Sequence, residues 1–79
     1  DVTIPLTGTE AVILGVLLDA RGAVVPIETI ERAAWGGSTP SRDAVHAAIS
    51  RLRRRLQGAM LVVRSVRSPG FVLERDAAA

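Results

Sequence analysis

Val45, Ile49, Leu52 and Leu56 recur at steps of four, three and four, which lays one apolar stripe along a helix. That helix is predicted from Arg42 to about Gln57, with Ser41 placed to cap its start and Gly58 to end it. Opposite the stripe fall Ala44, Ala47, Ser50, Arg51 and Arg54, and Arg53 and Arg55 stand on its flanks. Earlier in the chain, Thr7-Gly-Thr-Glu10 has the spacing of a capping box, in which side chain and backbone satisfy each other's free groups. A helix follows over Ala11–Ala20, with Val12, Ile13, Val16 and Leu17 spaced for burial and Gly22 where a left-handed cap is wanted. Gly15 inside it costs about 1 kcal/mol relative to alanine, which points to close packing against a neighbour.

Val2–Leu6 reads as a short strand, and Pro5 suits a sheet edge. Val24-Val25 is too short to stand alone and needs a strand partner. Pro26 suits the first turn of a helix to about Trp35, with Ile27, Ile30 and Ala34 facing inward. Gly36-Gly-Ser-Thr-Pro40 is a cluster of breakers and reads as a loop. After Gly58 the pattern becomes β-branched: Met60–Arg67, a turn at Ser68-Pro-Gly70, then Phe71–Glu74, which together predict a hairpin. Arg75–Ala79 has nothing to pack and reads as a frayed tail. The order predicts an α+β, winged helix-turn-helix fold: three helices with a short N-terminal strand and a C-terminal β-hairpin wing.

At 79 residues the chain makes one small domain, with a core over about 4–74. It begins at Asp1, so it reads as a piece of a longer protein. With no cysteine and a single histidine, His46, disulfides and zinc sites of His and Cys ligands are excluded. The longest apolar run, Ala11–Leu18, is too short to span a bilayer and ends at Asp19. No leader pattern opens the sequence, so a soluble, cytoplasmic protein is expected. Every basic side chain is arginine, as a GC-rich, actinobacteria-like genome tends to produce.

Charge changes the picture more than composition does. Residues 1–40 set Arg21 and Arg32 against five acidic residues, a net −3, whereas residues 41–79 set eight arginines against three, a net +5. Such polarisation is the electrostatic footprint of a nucleic-acid binder, and equally that of a solvated helix face in an arginine-rich proteome. Small residues and guanidinium groups on the free face of 42–57 suit the DNA major groove, where arginine pairs with phosphates or with guanine. No Ser-His-Asp order, Gly-rich phosphate loop, metal-ligand spacing or paired catalytic carboxylates can be found, so neither enzyme activity nor a cofactor is expected. The competing reading is a winged-helix module for protein–protein contact, with the acidic first half as its working surface.

Leu6-Thr-Gly-Thr-Glu10, Arg21-Gly-Ala-Val-Val25, Trp35-Gly36, Ile49-Ser-Arg-Leu-Arg-Arg-Arg-Leu56 and Val63-Arg-Ser-Val-Arg67 with Gly70-Phe71 follow one another as in the OmpR/PhoB-type DNA-binding domain. The chain resembles that family from about Ile4 to Leu73. The resemblance implies the output domain of a bacterial transcription regulator, often a two-component response regulator with a phosphorylatable receiver. It implies double-stranded DNA as partner, bound as a head-to-tail homodimer on direct repeats, and RNA polymerase contact through loop 36–40. The chain differs from the family where Asp43 replaces an arginine that touches DNA and Ala48 a histidine that touches phosphate. The Ser68-Pro-Gly-Phe71 wing turn departs too, and with loop 36–40 it resembles the N-terminal domains of actinobacterial antibiotic regulators.

On this reading 42–57 enters the major groove, and the wing over 60–74 reaches the backbone or minor groove. Ala47 and Ser50 lie on the groove face; Arg51, on a family contact position, and Arg54, better aimed by geometry, touch base edges. Arg42, Arg53 and Trp35 set the register on phosphates, and Ser65 and Arg67 act from the wing. Arg53 has the alternative of laying its stem along the core edge, and Trp35 that of joining the core. Arg64 points to the other side of its strand, as an ion-pair partner. Asp43 serves the helix dipole, and His46 is structural.

Overall fold

The computed structural model describes residues 4–67 and 69–75. Helix α1 (Gly8–Asp19) starts at the capping box: the Glu10 N–H donates to Thr7 Oγ1 at 3.3 Å, and the Thr7 N–H donates to Glu10 Oε1 at 3.2 Å. The helix therefore begins three residues before the predicted Ala11. Ala20 caps its end, and Arg21 (φ 52°) and Gly22 (φ 87°) turn the chain through two left-handed residues, closed by the Ala23 N–H donating to Ala20 O. Positive φ at both central positions matches a primed turn. The left-handed step thus starts at Arg21 rather than at the glycine.

Strand β1 (Val25–Pro26) leads directly into α2 (Ile27–Trp35), so Pro26 stands at the cap of α2 rather than inside its first turn. Helix α3 (Arg42–Leu56) is capped by Ser41, whose Oγ accepts from the Ala44 N–H at 3.1 Å. Strands β2 (Leu61–Val66) and β3 (Gly70–Arg75) form the hairpin. The sheet order is β1-β3-β2, with both pairings antiparallel. Val25, which has no neighbouring strand in sequence, thus finds its partner in Phe71, forty-six residues later.

One core holds these elements together. Ile13 and Leu17 of α1, Ile27 and Ile30 of α2, Val45, Ala48, Ile49, Leu52 and Leu56 of α3, and Val63, Phe71 and Leu73 of the hairpin bury their side chains in it. Each large aliphatic side chain removed from water there contributes about 1.5–3 kcal/mol. Helix α1 is less amphipathic than its spacing suggests: Val12 is 42% exposed and Val16 only half-buried. Gly15 meets nothing within 4 Å of a built Cβ, so it marks no close packing.

Ile4–Thr7 has no regular secondary structure, and Val2 and Thr3 of the predicted N-terminal strand lie outside the described residues. Ile4 and Leu6 pack on the core without a strand partner, and an extended segment becomes a strand only when its backbone groups are paired. The tail beyond Arg75 also lies outside the described residues.

Gly70 is the tightest point of the sheet. It is buried opposite Pro26, and a Cβ there would lie 2.5 Å from Val25 O and 3.0 Å from Val24 Cγ1. Backbone cannot yield as a flexible side chain can. Gly70→Ala should therefore destabilise the domain by about 1–3 kcal/mol, read as a lower urea midpoint, as overpacked sites do.

Candidate nucleic-acid interface

The buried stripe of α3 fixes which residues face outward. At 100° per residue, Asp43, Ala47, Ser50 and Arg54 form the row most nearly opposite Ile49 and Leu52, and all four are exposed. Arg54 makes no ion pair or side-chain hydrogen bond among the described residues. Of the predicted groove residues, Ala47, Ser50 and Arg54 therefore lie where the sequence places them.

Arg51 does not. It stands on the flank facing α1, with its Nε 3.4 Å from Glu10 Oε2, and Arg55 one turn later donates from Nε to Glu10 Oε1 at 3.2 Å. The guanidinium-bearing side chains remain 47% and 42% exposed, while the Glu10 side chain is fully buried. A carboxylate in that position has three sources of charge compensation: the Thr7 N–H and the two arginines. Burial alone raises its pKa. The hydrogen bond from the Thr7 backbone, the Arg55 charge and the remaining contacts outweigh that and hold it below its ordinary value of 4.5. Glu10 is the polar side chain that sequence reasoning missed; the capping box was legible, but the pairing of residue 10 with residues 51 and 55 was not.

The opposite flank of α3 meets the wing. Arg53 Nε donates to Val63 O at 2.9 Å, and its Nη2 donates to Ser65 Oγ at 2.9 Å. Arg53, predicted to touch phosphate from the helix, and Ser65, predicted to reach the backbone or minor groove from the wing, are thus joined to each other. The bond to Val63 also occupies a carbonyl on β2, an edge strand of the sheet. His46, on the same flank, is exposed and sets its ring edge-on to Phe71 at 6.3 Å between centroids.

The remaining predicted residues are spread around this face. Arg42 is exposed on the first turn of α3 beside Asp43, and Arg67 is exposed in the hairpin turn. Trp35, at the end of α2, is half-buried against the core, so its ring has a packing role whatever else its N–H does. Ala48 is fully buried. Its position lies inside the core and not on the exposed row of Ala47, Ser50 and Arg54. Arg64 Nη2 donates to Glu74 Oε2 at 2.6 Å across the hairpin, an exposed pair. Such a pair contributes little to stability. No helix among the described residues is long and apolar enough to cross a membrane, and they include no cluster of three potential metal ligands.

Comparison with known proteins sets this arrangement in context. The family described as "Transcriptional regulatory protein, C terminal" matches residues 1–73. Among solved structures, the crystal structure of the response regulator AdeR DNA-binding domain in complex with an intercistronic region superposes with a TM-score of 0.80. That match covers 94% of this chain and 76% of the other at 22% identity, so the likeness is one of fold. A search of curated proteins finds no match.

Two measurements follow from the flanks of α3. Because the folded-state pKa of Glu10 is depressed, its contribution to stability is complete above 4.5 and is lost as pH falls through the lower folded-state value. The thermal stability gap between the protein and its Glu10→Gln variant should therefore narrow on acidification below that point. Arg53→Ala should speed amide hydrogen exchange in β2 around Val63 and leave the amides of α1 unchanged.

Proposed function

Because the chain belongs to the transcriptional regulatory protein C-terminal family, the OmpR/PhoB type its sequence resembles, we infer that it binds double-stranded DNA sequence-specifically as the output domain of a regulator. One observation carries the reading. The exposed row Ala47, Ser50 and Arg54 on α3 combines small side chains, which let a helix approach base edges, with an arginine that has no protein partner among the described residues. Arg51, Arg55 and Arg42 add positive charge on the same helix, and Arg67 adds it from the wing.

Contacts divide by kind. Arg54 and Ser50 are best aimed at base edges, and Arg42, Arg51, Arg67 and the Trp35 N–H at phosphates, which set register and carry no sequence information. Arg53 and Ser65 act first on each other, fixing the angle between helix and wing, and reach DNA only through what their mutual hydrogen bond leaves free. Asp43 opens the outward row, where it repels phosphate and favours a base-facing setting of that turn.

The family's head-to-tail pairing on direct repeats and its polymerase contact extend the proposal to partners. Loop 36–40 would supply the polymerase contact. Its Gly36–Thr39 part, with Glu28, Glu31 and Arg32 of α2, lines a shallow concavity of about 240 Å³ to which α3 contributes no residue.

Selecting genomic fragments on the purified domain, then titrating the best across a salt series, tests the reading. A shared motif is expected, with affinity that falls steeply as salt rises because each neutralised phosphate releases counterions. Arg51→Ala combined with Arg54→Ala should weaken binding to that motif by about tenfold or more. Unchanged binding in the double variant would remove α3 from the interface. Salt-insensitive binding to a protein, with none to DNA, would favour the protein-contact reading instead.

A further inference from the structure

Arg51, Arg54 and Arg55 line a shallow concavity of about 300 Å³ at the C-terminal half of α3, and two of the three, Arg51 and Arg55, also reach the buried Glu10 carboxylate. We propose that this concavity is a subsite for one DNA backbone phosphate, and that Glu10 is the positioning residue which holds Arg51 and Arg55 in the geometry to receive it. The inference rests on the DNA-binding reading and adds Arg55 and Glu10 to it.

The argument begins with charge. Three guanidinium groups within two turns of a helix repel one another, and left to solvent each would turn away from its neighbours. Glu10 prevents that for two of them. Arg51 and Arg55 both direct Nε toward the buried carboxylate, one to each oxygen. An arginine engaged through Nε keeps terminal amino groups free to donate, and both side chains remain nearly half exposed. One carboxylate against three guanidinium groups leaves the concavity cationic. Its donors are arranged in advance, so a phosphate entering it meets arginines whose mobility is already restricted.

A second observation points the same way. Glu10 Oε2 is buried and accepts no hydrogen bond from the described residues; the Arg51 Nε lies 3.4 Å from it. A buried carboxylate oxygen without a hydrogen bond is costly, so the nearby Arg51 charge is what compensates it. Arg51 stands between the carboxylate behind it and the open concavity in front. Glu10 itself is locked by its reciprocal hydrogen bonds with Thr7, so the clamp is anchored in the first turn of α1. The start of one helix thereby orders the charged end of another.

The sign of one substitution separates positioning from bulk charge. Glu10→Gln removes a negative charge beside the interface, so simple electrostatics predicts tighter DNA binding. Positioning predicts weaker binding. The experiment measures binding of a short random-sequence duplex across a salt series for four proteins: unaltered, Arg55→Gln, Glu10→Gln and Glu10→Asp, each first confirmed folded by circular dichroism. Arg55→Gln should lower the salt slope by about 0.9, the value for one phosphate contact, with equal loss on any sequence. Both Glu10 variants should bind several-fold more weakly, including Glu10→Asp, which keeps the charge but shortens the reach. Tighter binding by Glu10→Gln, or an unchanged slope in Arg55→Gln, would overturn the proposal while leaving DNA binding intact. The Arg55→Gln slope decides the matter even if a Glu10 variant fails to fold, because Arg55 is partly exposed. Absence of salt-dependent binding by the unaltered protein would overturn the DNA-binding reading and this inference together.

Discussion

Burying Val45, Ala48, Ile49, Leu52 and Leu56 gives α3 one rotational setting, and the surface chemistry of the domain follows from that setting. A helix turned by a single residue would expose Leu52 and bury a guanidinium group, at a cost far above the net stability of a domain this small. With the stripe packed inward, Ala47, Ser50 and Arg54 must face out, Arg51 and Arg55 must face α1, and Arg53 must face the hairpin. The division of labour among four nearby arginines is thus a consequence of where five apolar residues go.

The two flanks of α3 use their arginines differently because they meet different acceptors. Toward α1 the acceptor is a buried carboxylate, a full charge that holds two cations at once. Toward β2 the acceptors are a backbone carbonyl and a hydroxyl, and they take two donors from the single planar group of Arg53. The first arrangement gathers positive charge at one end of the recognition helix. The second sets the angle of the wing. Helix and wing are consequently joined by side-chain hydrogen bonds as well as by the shared core.

The sheet is as much a device for placing α2 as for building the wing. β1 has only two residues, yet its pairing with β3 and the Ile27 N–H donating to Pro69 O anchor the start of α2 to the hairpin turn. Gly70 permits that approach. A side chain there would separate Pro26 from its partner strand and with it the helix that follows.

Local patterns determined most of the fold. The four-three-four spacing in α3, the Thr7–Glu10 box, the breakers at 36–40 and the β-branched run after Gly58 each act over a few residues, so they can be read one segment at a time. The elements they mark are present within a few residues of their predicted bounds. Tertiary structure decided what depends on distant partners. Val25 became a strand because Phe71 is opposite it, whereas Ile4–Leu6 did not because no strand among the described residues pairs with it. Periodicity sets Arg51 opposite the apolar stripe and Arg53 on its flank, but it names the protein acceptor of neither. Those acceptors were set when folding brought Glu10 to one flank and Val63 and Ser65 to the other. Periodicity records which face of a helix avoids water, but the geometry of a long flexible cation is set by the acceptors that packing places within its reach.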